Sequence, residues 1–99
     1  MITRIFRAQV KPDHQAAFEE KFLSFAVPLV EACDGVISVE VGKPTQWAPH
    51  EYVMISTWKD INSVKQMAGE NWNEAHIPEE MAQYFEHYWI HQYESLDSK

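Results

Sequence analysis

The order of two hydrophobic periodicities along this chain constrains its fold more than any other feature. Some stretches alternate their side chains at every second position or are rich in β-branched and aromatic residues, as strands are. Others repeat apolar residues every three or four positions, as helices do. The strand patterns cover residues 2–10, 36–43, 51–59 and 85–94, and helix patterns follow the first and the third of them. The order β, α, β, β, α, β predicts an α+β ferredoxin-like fold, with two helices on one face of a four-stranded antiparallel sheet.

The first helix pattern contains a proline, which predicts an irregular turn. Its apolar residues recur at helical spacing, namely Phe18, Phe22, Ala26, Leu29 and Cys33. Because Pro28 removes a backbone hydrogen bond and clashes with the preceding turn, we expect a kink or break near Ser24 and Phe25. In the second helix, Asp60 is predicted to be the N-cap and Gly69 to end the helix.

Both faces of the predicted sheet are partly apolar. One side of the first strand carries a charged residue, Arg4, among the apolar Ile2, Phe6, Ala8 and Val10. Alternation places Val36 opposite Ile37, Val39 and Val41 in the second strand. In the last strand it places a row of rings on one side: Phe85, His87, Trp89, His91 and Tyr93. A sheet with one face in water would show one polar side, so we expect a homodimer that forms through the second sheet face.

Length, charge and cysteine content exclude several classes of protein. The 99 residues predict a single domain over residues 1–94, with a short polar tail at 95–99. A formal net charge of −7 without a basic run disfavours nucleic acid and anionic membranes as partners. Cys33 is the only cysteine, which excludes an intramolecular disulfide and a multi-cysteine zinc site and favours a buried thiol. Without a secretory signal pattern or a run of membrane-spanning length, the protein is expected in the cytoplasm.

The segment from Ser56 to His76 is chemically rich for a connector. After a strand end and a short helix it carries Asn71, Trp72, Asn73 and His76. Turns favour small polar residues, so a large ring and several hydrogen-bonding groups indicate that something packs there. Trp72 is suited to stack on an aromatic ligand or to close the end of the core. His76 is suited to acid, base or ligand chemistry, or to a structural hydrogen bond.

Other kinds of functional site are not supported by the residues. His87 and His91 suggest a metal pair, but four residues of strand separate them by about 13 Å, too far to share one ion. The chain contains no glycine-rich nucleotide loop and no serine elbow. Neither a metal nor a nucleotide cofactor is therefore expected.

The chain resembles the antibiotic biosynthesis monooxygenase (ABM) family of dimeric α/β-barrel proteins over nearly its whole length. The matching pieces are Lys11-Pro12, Asp34-Gly35-Val36, Glu51-Tyr52-Val53, Trp58 before the Asp60 helix, and the run from Ala68 to Trp72. The resemblance implies that two sheets pack face to face and that each subunit keeps a ligand crevice between its own sheet and helices. The family includes quinone-forming oxygenases that use no cofactor. It also includes haem-degrading enzymes, whose axial histidine is similar in placement to His76.

The leading hypothesis is a cofactor-independent monooxygenase that acts on an aromatic or quinone-type small molecule. His76 is its candidate catalytic base. Its candidate substrate-binding residues are Phe22, Phe25, Met67, Asn71 and Trp72. One alternative is a haem-binding or haem-degrading dimer, with haem as its cofactor. Another is a dimer without catalysis, whose aromatic residues bind a small ligand or only fill the interior.

Overall fold

The computed structural model describes residues 1–69, 72–73 and 79–96. The strands are β1 (Ile2–Val10), β2 (Val36–Gly42), β3 (Glu51–Trp58) and β4 (Phe85–Glu94). The helices are α1 (Gln15–Lys21), α2 (Val27–Glu31), α3 (Ile61–Ala68) and α4 (Glu79–Ala82), with a short 3₁₀ turn at Pro12–His14. The bounds of β1 and β4 are those expected from the alternation, and β2 and β3 each end one residue earlier.

The four strands form one antiparallel sheet in the order β2-β3-β1-β4. The predicted hairpin joins β2 to β3, while β1 lies between β3 and β4 and pairs with both. Strands that are distant in sequence are therefore neighbours in the sheet centre. This arrangement confirms the ferredoxin-like βαββαβ fold.

The helices cover one face of the sheet, which we call the covered face. On β1 and β3 its side chains are those of Ile2, Arg4, Phe6, Ala8, Val10, Tyr52, Met54, Ser56 and Trp58. The other side, the open face, carries Thr3, Ile5, Arg7, Gln9, Glu51, Val53, Ile55 and Thr57, all half-buried. The alternation predicted for β1 is confirmed, including the place of Arg4 among apolar residues.

The core on the covered face consists of two clusters. The larger one joins Phe18 and Phe22 of the first helical region to Val10, Tyr52, Met54, Met81 and Tyr84. The smaller one joins Val64 of α3 to Ile2 and Trp58. Trp58 is fully buried and its Nε1 donates to the Ser56 hydroxyl at 2.9 Å, so its polar atom is satisfied inside the core. The smaller cluster thus fixes α3 against the ends of β1 and β3.

The first helical region is interrupted where the proline predicts an irregularity. Between α1 and α2 the chain forms a π-helical turn at Phe22–Ala26, and the Val27 N–H donates to the Phe22 carbonyl. Pro28 lies in the first turn of α2, where it has no N–H to donate to the preceding turn. The expected break near Ser24 and Phe25 is confirmed, and its form is a wider turn within a continuing helix.

Helix α3 begins and ends as its sequence predicts. The Asp60 carboxylate accepts from both the Ser63 N–H and the Ser63 hydroxyl at 2.9 Å. These hydrogen bonds lower the pKa of Asp60 below its ordinary value. Gly69 ends the helix at φ +77°, a conformation that favours glycine.

Two β-bulges change the faces predicted for the edge strands. Val10 pairs with Phe85 while Gln9 pairs with His87, so Glu86 is an extra residue and Phe85 turns to the covered face. The prediction that Phe85 shares a side with His87 is therefore wrong. Ile37 is the extra residue of β2, which places Val36 on the same face as Val39 and Val41. The prediction that Val36 lies opposite them is also wrong, because simple alternation does not include a bulge.

Candidate functional site

A cavity of about 100 Å³ lies between the covered face and the first helical region. Its floor comes from the sheet and its walls from helices, which is the position that the ligand crevice was expected to have. The lining residues are Arg4, Phe6, Phe18, Phe22, Ala26, Leu29, Val30, Met54, Met67, Met81, Phe85 and Ile90. Almost all of them are aromatic or aliphatic, so the cavity favours an apolar ring over a polar ligand body.

The aromatic wall of the cavity is built from contacting phenylalanines. Phe18 stacks on Phe22 with ring centroids 5.0 Å apart and meets the edge of Phe85 at 5.4 Å. Phe6 on β1 meets Phe85 edge to face at 6.0 Å. These separations and orientations are the preferred ones for aromatic pairs, so the rings support one another in position.

The π-helical turn shapes the helical wall. Phe22 and Ala26, at the two ends of the turn, both line the cavity. Leu23 and Phe25 lie between them and are exposed. A π-helical turn inside a helix is rare and frequently accompanies functional sites. Here it lets the helix pass over the cavity with a large ring at one end of the turn and a small side chain at the other.

Arg4 is the charged residue in the cavity lining. It is 6% exposed, and its Nη1 donates to the Trp72 carbonyl at 2.6 Å and to the Gln92 Oε1 at 2.9 Å. Gln92 pairs with Arg4 across β1 and β4, and its Nε2 donates to the same Trp72 carbonyl at 3.3 Å. Burial lowers the pKa of the Arg4 guanidinium from its ordinary value. These hydrogen bonds hold the Arg4 guanidinium in a fixed position beside β4.

The predicted substrate-binding residues lie at different places. Phe22 and Met67 line the cavity. Phe25 is 38% exposed on the π-helical turn and is not among the lining residues. Asn71 and the candidate base His76 lie outside the described residues. The roles assigned to these side chains stay predictions.

Trp72 lies next to the smaller core cluster. Its half-buried side chain packs against that cluster, and the Lys65 ammonium of α3 lies 5.4 Å from its ring centroid. Its carbonyl oxygen, not its ring, accepts the Arg4 hydrogen bond. Among the described contacts, Trp72 thus takes the position expected of a ring that closes the core, and it connects that core to the buried arginine.

Arg4 was not selected as a candidate site residue from the sequence. The signal was present, because Arg4 is the one charged residue on the apolar side of β1. A buried arginine is costly unless its charge and its hydrogen bonds are matched, so such a residue on a core-facing side marks either a structural network or a ligand site.

Other polar groups near the core have structural partners. The Tyr52 hydroxyl donates to Glu19 at 2.9 Å, and burial together with this bond raises the pKa of Tyr52 to about 12. The Cys33 thiol is half-buried and donates to the Leu29 carbonyl at 3.3 Å. Burial and the nearby Asp34 raise the pKa of that thiol, so it stays protonated and weakly nucleophilic.

Residues 1–69, 72–73 and 79–96 contain neither a metal cluster nor a membrane-spanning helix. No group of three or more histidine, cysteine, aspartate or glutamate side chains in these ranges is placed to hold a metal ion. No helix in the same ranges has the length and hydropathy needed to cross a bilayer.

Solved structures with the same fold cover nearly the whole chain. Rv0793 from Mycobacterium tuberculosis superposes with a TM-score of 0.75 at 16% identity, covering 98% of this chain and 96% of that one. An antibiotic biosynthesis monooxygenase superposes with a TM-score of 0.78 at 12% identity, covering 98% and 100%. A mutant of MhuD with two manganese protoporphyrin IX bound per active site gives 0.74 at 14%, covering 100% and 98%. Identities this low show a shared fold.

Family membership comes from the sequence. No curated protein matches the chain. The family model for antibiotic biosynthesis monooxygenase matches residues 1–77, which is more than half of the chain and includes β1 to α3. The chain therefore belongs to the antibiotic biosynthesis monooxygenase family.

Proposed function

We propose that this protein is a cofactor-independent monooxygenase that oxidises an aromatic or quinone-type small molecule in the cavity on the covered face. The observation that carries the proposal is an apolar cavity of about 100 Å³ lined by four phenylalanines, in a chain of this family. For comparison, an engineered apolar cavity of about 150 Å³ binds benzene. A single aromatic ring is thus the scale of ligand that this cavity suits.

The chemistry needs little from the protein when the substrate is electron-rich. A phenol that loses its proton becomes an anion able to give an electron to dioxygen. A carbon–oxygen bond then forms on the ring, the O–O bond breaks, and a quinone and water leave. One oxygen atom enters the product, the other becomes water, and the substrate supplies all the electrons. The protein has to bind, deprotonate and desolvate the substrate.

The lining residues are suited to two of these tasks. Phe18, Phe22 and Phe85 provide ring faces and edges that hold an aromatic substrate and keep water away from it. Met67 and the other methionines of the lining are flexible and polarisable, so they adapt to rings of different shape. For the third task, deprotonation, we propose His76 as the base, because histidine exchanges a proton near neutral pH.

The proposal includes a homodimer formed through the open face. This face places Ile5, Val53, Ile55 and Trp89 together, all only half-buried in the single subunit. Apolar side chains in such a row favour contact with a second sheet, which is also the arrangement that the family resemblance implies. The cavity lies on the other side of the sheet, so each subunit keeps its own ligand site.

Oxygen uptake with a panel of single-ring phenols and polyphenols tests the function. We expect uptake and quinone formation by protein treated with a chelator. His76→Ala lowers the rate about a hundredfold or more, the usual contribution of a general base. His50→Ala is the matched control, since this exposed histidine lies in the β2–β3 hairpin and contacts Gln15. Unchanged turnover in His76→Ala would remove that residue from the mechanism, and no uptake with any substrate would contradict the proposed activity.

Haem is the alternative ligand, and an absorbance titration with haem tests it. The cavity formed by the described residues is roughly a third of the smallest sites that take drug-sized ligands. A porphyrin is much larger than one aromatic ring, so this volume favours the smaller ligand. We therefore expect no Soret shift when haem is added. A shift that is lost in His76→Ala would replace the oxygenase proposal with a haem protein.

A further inference from the structure

We infer that Pro28 is a positioning residue of the ligand site, because it holds the first helical region in the π-helical turn and so keeps the cavity open to a single ring. Without this turn, the ring of Phe25 would occupy the space that the ligand needs. The inference rests on the proposed function in taking this cavity as the ligand site. It adds a residue that controls the room for the ligand without lining the cavity.

The hydrogen bonding of the turn follows from the position of Pro28. In a regular α-helix the Val27 N–H would donate to the Leu23 carbonyl. The Pro28 ring would then clash with the Ser24 carbonyl, four residues before it. Instead, the Val27 N–H donates to the Phe22 carbonyl, and Pro28 lies in the first turn of α2. The proline thus favours the wider turn over the α-helical one.

The wider turn determines which side chain faces the cavity. In an α-helix, residues three or four positions apart share a face, so Phe25 would share the face of Phe22. In the π-helical turn, Ala26 lines the cavity, whereas Phe25 is 38% exposed and is not among the lining residues. The large side chain is therefore turned toward solvent, and the small one lies over the cavity.

The room for a ligand depends on this choice between a large and a small side chain. The cavity measures about 100 Å³ and its lining is almost wholly apolar. A cavity of this scale holds about one aromatic ring, and the side chain of phenylalanine is itself such a ring. If Phe25 faced the cavity, its ring would pack against Phe18 and Phe85 and exclude the ligand. Pro28 thus prevents the protein from filling its own site.

Binding of 4-fluorophenol, followed by fluorine NMR, tests the inference without any turnover. We expect Pro28→Ala to bind this probe about tenfold more weakly, since the Phe25 ring then occupies the cavity most of the time. The melting temperature of the variant stays the same or rises, because alanine is the better helix former and Phe25 gains burial. Weaker binding without lower stability separates a positioning role from a general loss of structure.

A second substitution identifies the ring that excludes the probe. Phe25→Ala alone leaves the affinity unchanged, because Phe25 does not line the cavity. Combined with Pro28→Ala, it restores binding to within about threefold of the wild-type affinity. Pro49→Ala is the matched control for the loss of a proline. This exposed residue lies in the turn between β2 and β3, so its substitution leaves binding unchanged.

A crystal structure of Pro28→Ala shows the hydrogen bond directly, and we expect the Val27 N–H to donate to the Leu23 carbonyl. If Pro28→Ala does not fold, Ala26→Phe decides the question, because it places a ring over the cavity within the native turn and abolishes binding. Wild-type affinity in Pro28→Ala, no recovery in the double variant, or retained binding in Ala26→Phe would each overturn the inference.

The same probe distinguishes this inference from the proposed function. If the wild-type protein does not bind 4-fluorophenol, the inference is overturned, while oxygen uptake with another substrate would leave the proposed function standing. If Pro28→Ala weakens binding and Phe25→Ala restores it, but the wild-type protein takes up no oxygen, the inference stands and the proposed activity is contradicted.

Discussion

The two arginines of β1 lie three residues apart and occupy opposite faces of the sheet. Arg4 is buried at the cavity and donates to the Trp72 carbonyl and the Gln92 amide oxygen. Arg7 binds both carboxylate oxygens of Glu51, at 2.9 and 3.2 Å, and its guanidinium carbon lies 4.9 Å from the centroid of the Trp89 ring. The covered face therefore holds its cation inside the core, where it donates to a backbone carbonyl and a side-chain amide oxygen. The open face binds its cation to a carboxylate and a ring, and so forms a surface suited to another protein.

The largest expected effect is on the open face. Ile55 pairs with Ile5 at the centre of the two inner strands, so Ile55→Lys places a charge within the proposed interface. In a symmetric dimer the change occurs twice. Each uncompensated charge buried there costs about 3 kcal/mol or more. We expect a monomer by light scattering at micromolar concentration, with circular dichroism unchanged.

Leu23→Lys is the matched control for this change. Leu23 is 53% exposed on the π-helical turn, away from the open face, and the same substitution there leaves the oligomeric state as it was. A dimer that persists in Ile55→Lys would show that the open face is not the contact between subunits, and the contrast between the two faces would then lose its functional meaning.

The next largest effect is on the covered face. Phe18 is fully buried and its ring contacts those of Phe22, Tyr52, Tyr84 and Phe85. Phe18→Ala removes these contacts, so we expect the free energy of unfolding to fall by about 3–5 kcal/mol. Val53→Ala on the open face is the comparison, with a loss of about 1 kcal/mol. Denaturant unfolding at one protein concentration measures both, and similar losses would contradict the assignment of the main core to the covered face.

Tyr52 gives a smaller, pH-dependent effect on the covered face. Burial and the hydrogen bond to Glu19 raise its pKa from 10.0 to about 12. The folded state thus favours neutral tyrosine, and this contribution to stability is complete below pH 10 and is lost as the pH rises toward 12. Tyr52→Phe lowers the free energy of unfolding by about 1 kcal/mol at neutral pH. Above pH 10 the variant does not show the loss of stability that ionisation of Tyr52 causes in the wild-type protein. If the free energy of unfolding of Tyr52→Phe fell by the same amount above pH 10, the decline would belong to groups other than Tyr52.

The smallest expected effect is that of Arg7→Gln on the stability of the single subunit. The Arg7 side chain is 42% exposed, and exposed ion pairs contribute about 0.2–1 kcal/mol. When Arg7→Gln is combined with Ile55→Lys, we expect a change in the free energy of unfolding within that range. A much larger loss would mean that the Arg7, Glu51 and Trp89 group stabilises the fold itself.

Much of the fold was predictable from the sequence because its signals are local. Alternation gave the bounds of β1 and β4, Asp60 and Gly69 marked the ends of α3, and Pro28 marked the irregular helix. Each of these signals depends on residues that are only a few positions apart in the sequence. The sheet order followed from the succession of elements, since few arrangements of βαββαβ are compatible with short connections.

The site was less predictable because it depends on distant pairs. Phe22 and Met67 were selected, but Arg4 gains its place from Gln92 and from the Trp72 carbonyl, which are far along the chain. Phe85 was assigned to the wrong face since a bulge changes the count of residues without changing their type. The shape of the cavity depends on side chains from three strands, four helices and the π-helical turn together, and no local sequence pattern predicts it.

The bulges of the two edge strands bear on how relatives of this chain differ in length. Glu86 of β4 and Ile37 of β2 are the extra residues of the two bulges, since neither has a paired residue on the neighbouring strand, β1 or β3. Deleting either one restores simple alternation, and every other side chain of that strand keeps its side of the sheet. A deletion elsewhere in β2 or β4 reverses the sides of the residues beyond it. Single-residue gaps in an alignment of related chains should therefore gather at these two positions, and the rest of both strands should align without gaps.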